Sequence, residues 1–343
     1  MSLRFNYIGS KKTLSPWIYS KLNQYINPDY IFIDMFAGSG AMSSYMASKG
    51  YTVHANDVQY YSYVILQSIL ANYTKTDIKN IKQHITELNS ISSSKDNFIV
   101  KQYSPPKRMF FTRKNAMKIG AMRQHVEQLY IQKKINKRVY FYLLACILSG
   151  SDLVANVATI YASYLKQFKT TAMKDIVLKD IDIQQSNNNN IKNKHRVTNK
   201  PAELVTNSNS NSILYLDPPY NQRNYSDNYD VLETIARNDE PELKGKTGLR
   251  VDNYRSEFSS KQHARDALKN ILANTKTKLQ GVKVIAMSYN SEGIMSLNKI
   301  KSAFREVLGS NPKVFKKKYK KFNSHANIDD NKYVYEYLIV YQQ

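Results

Sequence analysis

Residues 30–58 of the chain are YIFIDMFAGSGAMSSYMASKGYTVHANDV, and this stretch decides the fold class. Its first residues are rich in β-branched and aromatic side chains, which is typical of a strand. The glycine turn and helical pattern that follow end at Gly50, and YTVHANDV then predicts a second strand. Strand, helix and strand in this order form a βαβ crossover with parallel strands. The sequence therefore predicts an α/β fold.

A glycine turn connects the first predicted strand to the helix. Gly38 and Gly40 let the backbone approach a ligand, because a β-carbon at either position would clash or exclude the required dihedral angles. Asp57 lies at the tip of the second strand, where a carboxylate can accept both hydroxyl hydrogen bonds of a ribose. These residues predict a nucleoside-cofactor site. A nicotinamide dinucleotide site follows the same logic, although Ser43 stands where its third glycine is expected, and an ordinary turn can also contain two glycines.

Strand patterns recur near the end of the chain. They are found in SILYLDPPY (212–220), KVIAMSYNSEG (283–293), KVFKKKYKKF (313–322) and NKYVYEYLIVYQQ (331–343). The last two segments predict an antiparallel pair. Between about residues 61 and 150 the pattern is instead amphipathic and helical.

These patterns predict two structural parts. We expect a discontinuous sheet domain at 1–70 and 205–343, interrupted by a mainly helical insertion at 71–204. Within the insertion, the polar, low-complexity sequence near 184–200 predicts a flexible segment, with a short strand following at AELV (202–205).

Charge and composition restrict the function classes. The chain has 50 Lys and Arg against 27 Asp and Glu, a net charge of +23, which favours nucleic acid as the partner before an anionic membrane. No apolar stretch reaches about 18 residues and the N-terminus lacks a signal-peptide core, so we expect a cytoplasmic protein without a membrane partner. The single cysteine, Cys146, excludes an internal disulfide and is expected in the core. The histidines lack metal-ligand spacing, so no metal site is expected.

The tetrad Asp217-Pro218-Pro219-Tyr220 follows the predicted strand SILYL. An exocyclic amine of a base is a poor nucleophile, because its lone pair is delocalised into the ring. Two acceptors on its N–H groups return electron density to the nitrogen, and the Asp217 carboxylate and the Pro218 carbonyl can supply them. Two prolines fix that carbonyl, while Tyr220 offers a flat face for an extruded base. The tetrad therefore predicts chemistry on a base amine.

With these motifs in this order, the sequence resembles the Dam-like (alpha-class) adenine-N6 DNA methyltransferases, many of which belong to restriction-modification systems. The resemblance rests on FNYIGSKKTLSPWI (5–18), DMFAGSGAMS (34–43), Asp57 and DPPY (217–220). Further similar segments are RMFFTRKNAMKIGAMR (108–123), NVATIYASYLK (156–166) and MSYNSEGIMS (287–296). The resemblance implies a Rossmann-like sheet that binds S-adenosyl-L-methionine, with an inserted target-recognition domain for double-stranded DNA.

The resemblance also implies roles for individual residues. The implied cofactor-binding residues are Tyr7, Gly9, Lys11, Asp34, Phe36, Gly38, Gly40 and Asp57, and the implied catalytic residues are Asp217, Pro218, Pro219 and Tyr220. The expected reaction is direct transfer of the sulfonium methyl group to N6 of a flipped adenine in a specific DNA site. A cognate restriction endonuclease is an expected partner, and the sequence favours neither a monomer nor a dimer.

Other functions fit the same residues. The two acceptors serve cytosine N4 in DNA or adenine in RNA equally well, and a catalytically silent, basic nucleic-acid-binding protein can keep this fold. Basic side chains in SPPKRMFFTRK (104–114) and KVFKKKYKKF are predicted to contact phosphates, with Lys316, Lys318 and Lys320 on one face of a strand. A solvated edge strand defended by lysines is the alternative.

Overall fold

The computed structural model describes residues 9–92, 95–180, 194–207, 210–320 and 333–343. The strands are β1 (Ile31–Asp34), β2 (Val53–Asn56), β3 (Arg196–Thr198), β4 (Ser212–Leu216), β5 (Leu243–Lys244), β6 (Leu249–Arg250), β7 (Val282–Asn290), β8 (Lys313–Lys320) and β9 (Tyr333–Gln342). The α-helices are α1 (Ser15–Leu22), α2 (Ala41–Ser48), α3 (Tyr60–Ile69), α4 (Lys75–Ser90), α5 (Phe98–Tyr103), α6 (Arg113–Ile131), α7 (Lys137–Leu153), α8 (Asp230–Arg237), α9 (Ala264–Asn274) and α10 (Leu297–Leu308). Short 3-10 helices span Lys11–Thr13, Ala202–Leu204, Ser226–Asn228 and Glu257–Ser259.

Seven of the described strands form one sheet in the order β3-β2-β1-β4-β7-β9-β8. The first five are parallel, and β9 lies antiparallel between β7 and β8. The chain leaves β1 toward β2 and returns to β4 on the other side of β1, so the strand order reverses there. In open α/β sheets, ligands bind outside the carboxyl ends of the strands at such a point. The predicted Rossmann-like α/β fold is confirmed.

Both faces of the sheet are covered, as a parallel sheet requires. Alternation along β1 sends Phe32 into a core formed with α1 and α2, and Ile33 into a second core formed with α9 and α10. Along β4, Ile213 and Tyr215 face the first core while Leu214 faces the second. The sheet is therefore packed on both faces, and this packing fixes the positions of its strand ends relative to one another.

The helices between β2 and β3 form a third core with α8. In this helical block, the long helix α7 is buried along most of its length, and it carries Cys146 in the predicted core position. Side-chain caps define the helix starts: Thr112 accepts from the amide of Asn115, and Asn136 accepts from two amides at the start of α7. Because α3 contributes to the sheet core and to the block core, the two parts share a continuous interior. Within the described residues, no helix is long and apolar enough to cross a membrane.

The third sheet strand is where the prediction differs from the structure. The predicted strand at AELV is wrong: Ala202–Leu204 is a 3-10 helix, and β3 lies at Arg196–Thr198. A three-residue edge strand with one apolar side chain gives too little alternation to be recognised. β3 falls inside the predicted insertion 71–204 but pairs with β2, so the sheet reaches back before residue 205. Residues 184–193 of the predicted flexible segment lie outside the described residues, and residues 196–198 of that segment form β3.

Candidate active site

A cavity of about 430 Å³ opens at the carboxyl ends of β1, β2 and β4. The turn after β1 and the turn after β4 both line it, because these strands are hydrogen-bonded neighbours with the same direction. The predicted site residues that line the cavity are Gly9, Lys11, Asp34, Phe36, Gly38, Asp57, Asp217, Pro218, Pro219 and Tyr220. Gly40 is not among the lining residues, and Tyr7 lies outside the described residues.

Asp57 organises the glycine turn. The backbone N–H of Gly38 donates to its Oδ2 at 2.8 Å, and that of Gln59 donates to its Oδ1 at 2.8 Å. Burial raises the pKa of Asp57 to about 6, although these two hydrogen bonds oppose the rise. The carboxylate thus reaches across from the end of β2 and fixes the turn that follows β1.

The side chain of Asp34, the last residue of β1, is held by Ser43, which stands where a dinucleotide-binding turn has its third glycine. Ser43 Oγ donates to Asp34 Oδ2 at 2.6 Å, whereas Oδ1 is buried and has no hydrogen-bond partner in the described part of the chain. Burial raises the pKa of Asp34 to about 7, and repulsion from Asp217 and Asp57 adds to this effect. An oriented, unpaired acceptor at a cavity wall fits a ligand that carries a hydrogen-bond donor or a positive charge.

The tetrad Asp217-Pro218-Pro219-Tyr220 begins directly after β4. Lys11 Nζ lies 2.8 Å from Asp217 Oδ1, and both side chains are largely buried. Burial raises the pKa of Asp217, and the attraction of Lys11 opposes this rise. Burial alone would lower the pKa of Lys11, but Asp217 and Glu336 together hold it above its usual value. The structure therefore assigns Lys11 to an ion pair in the site rather than to the surface.

Tyr220 is positioned by the segment after β7. Its carbonyl accepts the Ile294 N–H at 2.9 Å, and its ring meets Tyr289 edge to face at 6.3 Å between centroids. The backbone of Gly293 packs directly against the Tyr289 ring. A β-carbon at this position would come within 2.2 Å of that ring. Lys11 Nζ lies 5.9 Å from the Tyr220 ring centroid. The half-buried ring of Tyr220 thus forms part of the wall beside the ion pair.

Comparison with known proteins agrees with this geometry. A model of the family described as D12 class N6 adenine-specific DNA methyltransferase matches residues 7–303. The chain belongs to this family.

Named type II methyltransferases are among the similar proteins. The type II methyltransferase M.NlaIII of Neisseria lactamica is 33% identical over 307 residues, covering 87% of each chain. M.CviAII of Paramecium bursaria Chlorella virus 1 is 32% identical over 295 residues, covering 85% of each. M.FokI of Planomicrobium okeanokoites is 30% identical over 350 residues, covering 98% of this chain and 52% of the relative. The chain therefore spans about half the length of M.FokI.

Sequence reasoning missed one side of the cavity. Phe258 meets Phe36 edge to face at 5.3 Å, and Ile271 of α9 lines the same end. Gln59 Nε2 donates to Ser226 Oγ at 2.7 Å, and Ser226 Oγ donates to the Tyr254 carbonyl at 2.8 Å. In the sequence these residues lie outside any motif, and only their packing on the glycine turn reveals them.

The predicted phosphate contacts in SPPKRMFFTRK are only partly available. Arg108 is buried and donates to the carbonyls of Gly245 and Lys246 in the turn between β5 and β6, so its predicted phosphate contact is wrong. Arg113 and Lys114 are paired with Asp96 and Asp175.

The lysines of β8 follow the predicted alternation. Lys316 and Lys318 are exposed on one face, where Lys316 Nζ lies 5.9 Å from the Tyr337 ring and Lys318 Nζ 4.2 Å from that of Tyr333. The side chain of Lys320 lies outside the described residues. Because β8 runs parallel to β7, these lysines lie toward the carboxyl ends of the parallel strands, which is where the cavity opens.

Gly40 serves packing against α3 and offers a direct test. Its φ is 72°, and a β-carbon would lie 2.3 Å from Ile69 Cδ1. We expect Gly40→Ala to lower the free energy of unfolding by about 3 kcal/mol, because backbone strain adds to overpacking. Gly50, with φ 89° and no described atom within 4 Å of such a β-carbon, is the matched control. Gly50→Ala should cost about 1 kcal/mol in the same urea denaturation; equal losses would contradict the packing role of Gly40.

Proposed function

We propose that the chain is a site-specific modification methylase that transfers the methyl group of S-adenosyl-L-methionine to N6 of adenine in double-stranded DNA. The observation that carries the proposal is the Lys11–Asp217 pair, set beside Tyr220 in the cavity that the glycine turn also lines. Family membership supports the same reaction. We further propose that the enzyme belongs to a restriction-modification system and has a cognate endonuclease.

The cavity residues fit the proposed methyl donor, whose electrophilic sulfonium methyl group provides the transfer chemistry. Asp34 Oδ1, which has no hydrogen-bond partner among the described residues, is an acceptor suited to an ammonium or N–H group, and Asp57 is suited to ribose hydroxyls. Phe36 and Phe258 form an apolar end for the adenine ring. The volume of about 430 Å³ lies within the usual range for small-molecule sites. Gly9 and Lys11 line the cavity and remain predicted cofactor contacts, as does Tyr7, which lies outside the described residues.

The catalytic tetrad supplies acceptors for the target amine. Asp217 accepts one N–H of the adenine and the Pro218 carbonyl accepts the other, which localises the lone pair on N6. Lys11 keeps Asp217 ionised and oriented inside a buried site, where an isolated carboxylate would tend to bind a proton. Tyr220 stacks on the base, which leaves the duplex to reach the cavity. Positioning and electrostatics then provide most of the acceleration.

Asp217→Ala tests the catalytic assignment. We expect methyl transfer to fall at least about a thousandfold, because the main acceptor for the amine is lost, while DNA affinity stays nearly unchanged. Transfer is measured with labelled cofactor and DNA, followed by nucleoside analysis, which also separates N6-methyladenine from N4-methylcytosine. The matched control is Asp29→Ala. Asp29 is exposed and precedes β1, so it lies at the amino-terminal ends of the strands, away from the cavity. Normal turnover by Asp217→Ala would refute the assigned role.

Cofactor affinity should rise with pH. Burial raises the pKa of Asp34 to about 7 and that of Asp57 to about 6, so both carboxyls ionise between about pH 5.5 and about pH 7.5. Only ionised Asp34 attracts a cationic ligand fully, so calorimetric affinity should increase across this range. In the ligand-free protein these carboxyls bind protons more tightly when folded than when unfolded, where their pKa is near the ordinary value of 3.8, so the free energy of unfolding should fall as the pH rises from about 4 to about 7. Asp34→Asn should weaken binding and reduce its pH dependence; a flat wild-type profile would argue against this role.

The lysines of β8 should contribute to DNA affinity through phosphates. We expect the double variant Lys316→Ala/Lys318→Ala to reduce the slope of log affinity against log salt by about 0.9 per lost contact. Fluorescence anisotropy over a salt series measures that slope. The control is the double variant Lys49→Ala/Lys283→Ala, which should leave the slope unchanged. Lys49 precedes β2 and Lys283 lies at the start of β7, so both are at the amino-terminal ends of the strands, away from the cavity. If both double variants gave identical slopes, the lysines of β8 would not contact DNA phosphates.

A further inference from the structure

Glu336 is a buried acid on β9 that no sequence motif includes. Its side chain is 9% exposed, and its Oε1 accepts from the Asn290 Nδ2 at 3.0 Å on the neighbouring strand β7. The Oδ1 of Asn290 in turn accepts the Glu292 N–H at 2.8 Å, which fixes the orientation of the amide. The Glu336 carboxyl is therefore held in one place at the carboxyl end of β7.

The sheet register places Glu336 on the same face as Asp217. Tyr215 and Ser288 are hydrogen-bonded through their side-chain oxygens at 2.7 Å, so β4 and β7 direct these two side chains to one face. Because side chains alternate along a strand, Asp217 and Asn290 follow on that face two residues later. Glu336 pairs with Asn290 across β7 and β9, so it belongs to the same face.

Lys11 is attracted by both acids. Its Nζ lies 2.8 Å from Asp217 Oδ1. Burial lowers the pKa of Lys11, and attraction by Asp217 and Glu336 outweighs that effect. Lys317 stands opposite Glu336 on β8, but its Nζ lies 5.7 Å from the centroid of the Trp17 ring. Because Lys317 is placed at that ring, Lys11 is the cation that balances the charge of Glu336.

We propose that Glu336 is a positioning residue for methyl transfer: as the second acid acting on the Lys11 ammonium, it fixes where that ammonium meets Asp217. Among the described residues that line the cavity Glu336 is absent, so it acts through Lys11 and not on the substrate. The proposal rests on the proposed function, in which Asp217 presents an acceptor to the N6 amine. Two acids held by different strands fix the ammonium, and a displacement of about 1 Å near reacting groups can lower a rate about a hundredfold.

The test is the variant Glu336→Gln in the full chain. Glutamine keeps the shape of the side chain and an oxygen that accepts from Asn290, so the change removes only the charge. Single-turnover transfer is measured with saturating S-adenosyl-L-methionine on DNA with the preferred site, which modified-base sequencing identifies. We expect the transfer rate to fall about tenfold. The dissociation constants of cofactor and DNA should change by less than about twofold, since the lost interaction acts on the transition state.

The pH profile distinguishes a loss of charge from a folding defect. Without Glu336, Lys11 should release its proton at lower pH, although Asp217 and Tyr220 still raise its pKa. Neutral Lys11 no longer orients Asp217, so the rate falls when that proton is lost. We expect the wild-type rate to hold up to about pH 10 and the Glu336→Gln rate to decline at lower pH. Glu336→Asp keeps the charge and should retain the wild-type profile with a smaller loss of rate.

Val334→Ala is the matched control. Val334 is buried and uncharged, and it lies two residues before Glu336 on the same face of β9. This variant should keep the wild-type transfer rate and the wild-type pH profile.

The outcomes separate this proposal from the proposed function. If wild type methylates no DNA, the proposed function fails, and this proposal fails with it. If wild type methylates DNA and Glu336→Gln keeps the wild-type rate at every pH, only the positioning role is refuted. Equal losses in Glu336→Gln and Val334→Ala with an unchanged pH profile refute it as well, because they show a structural effect. If Glu336→Gln does not fold, Glu336→Asp decides: its carboxyl is withdrawn by one methylene, so a wild-type rate refutes the role.

Discussion

The buried ion pair between Lys11 and Asp217 holds the candidate active site together. Lys11 comes from the N-terminal 3-10 helix and Asp217 from the end of β4, so one contact joins two distant parts of the chain. Neither charge is stable alone in a buried setting, and removing one partner would leave the other uncompensated. The parallel pairing of β1 and β4 places this contact beside the glycine turn. The site therefore depends on sheet order and on one lysine.

Around that lysine the site carries an excess of carboxyl groups. Asp34, Asp57, Asp217 and Glu336 are all buried or nearly so, and burial raises the pKa of each. Mutual repulsion adds to this effect, for Asp34 from Asp57 and Asp217. A cationic ligand would relieve this repulsion and ionise the carboxyls. The electrostatics therefore favour a positively charged cofactor over the dinucleotide alternative that the glycine turn alone left open.

Local patterns predicted the parts of the site that lie within a few residues of a strand end. Asp34, Gly38 and the tetrad each follow an apolar run, so sequence alone could place them at one sheet edge. The wall around Phe258 was not predictable, because it is defined by packing across the cavity. Arg108 shows the opposite error: a basic residue in a basic run is buried, since its guanidinium holds the β5–β6 turn through that turn's carbonyls.

One chain of hydrogen bonds connects the end of β2 to the opposite wall of the cavity. Asp57 accepts the Gln59 N–H, the Gln59 amide donates to Ser226, and Ser226 donates to the Tyr254 carbonyl. The carbonyl of Asn228, two residues after Ser226, in turn accepts the Tyr161 N–H. Because each of these hydrogen bonds has a buried partner, breaking one would leave a polar group unpaired. The acid at the end of β2 thus fixes the glycine turn and is connected to the far wall of the cavity through the same buried contacts.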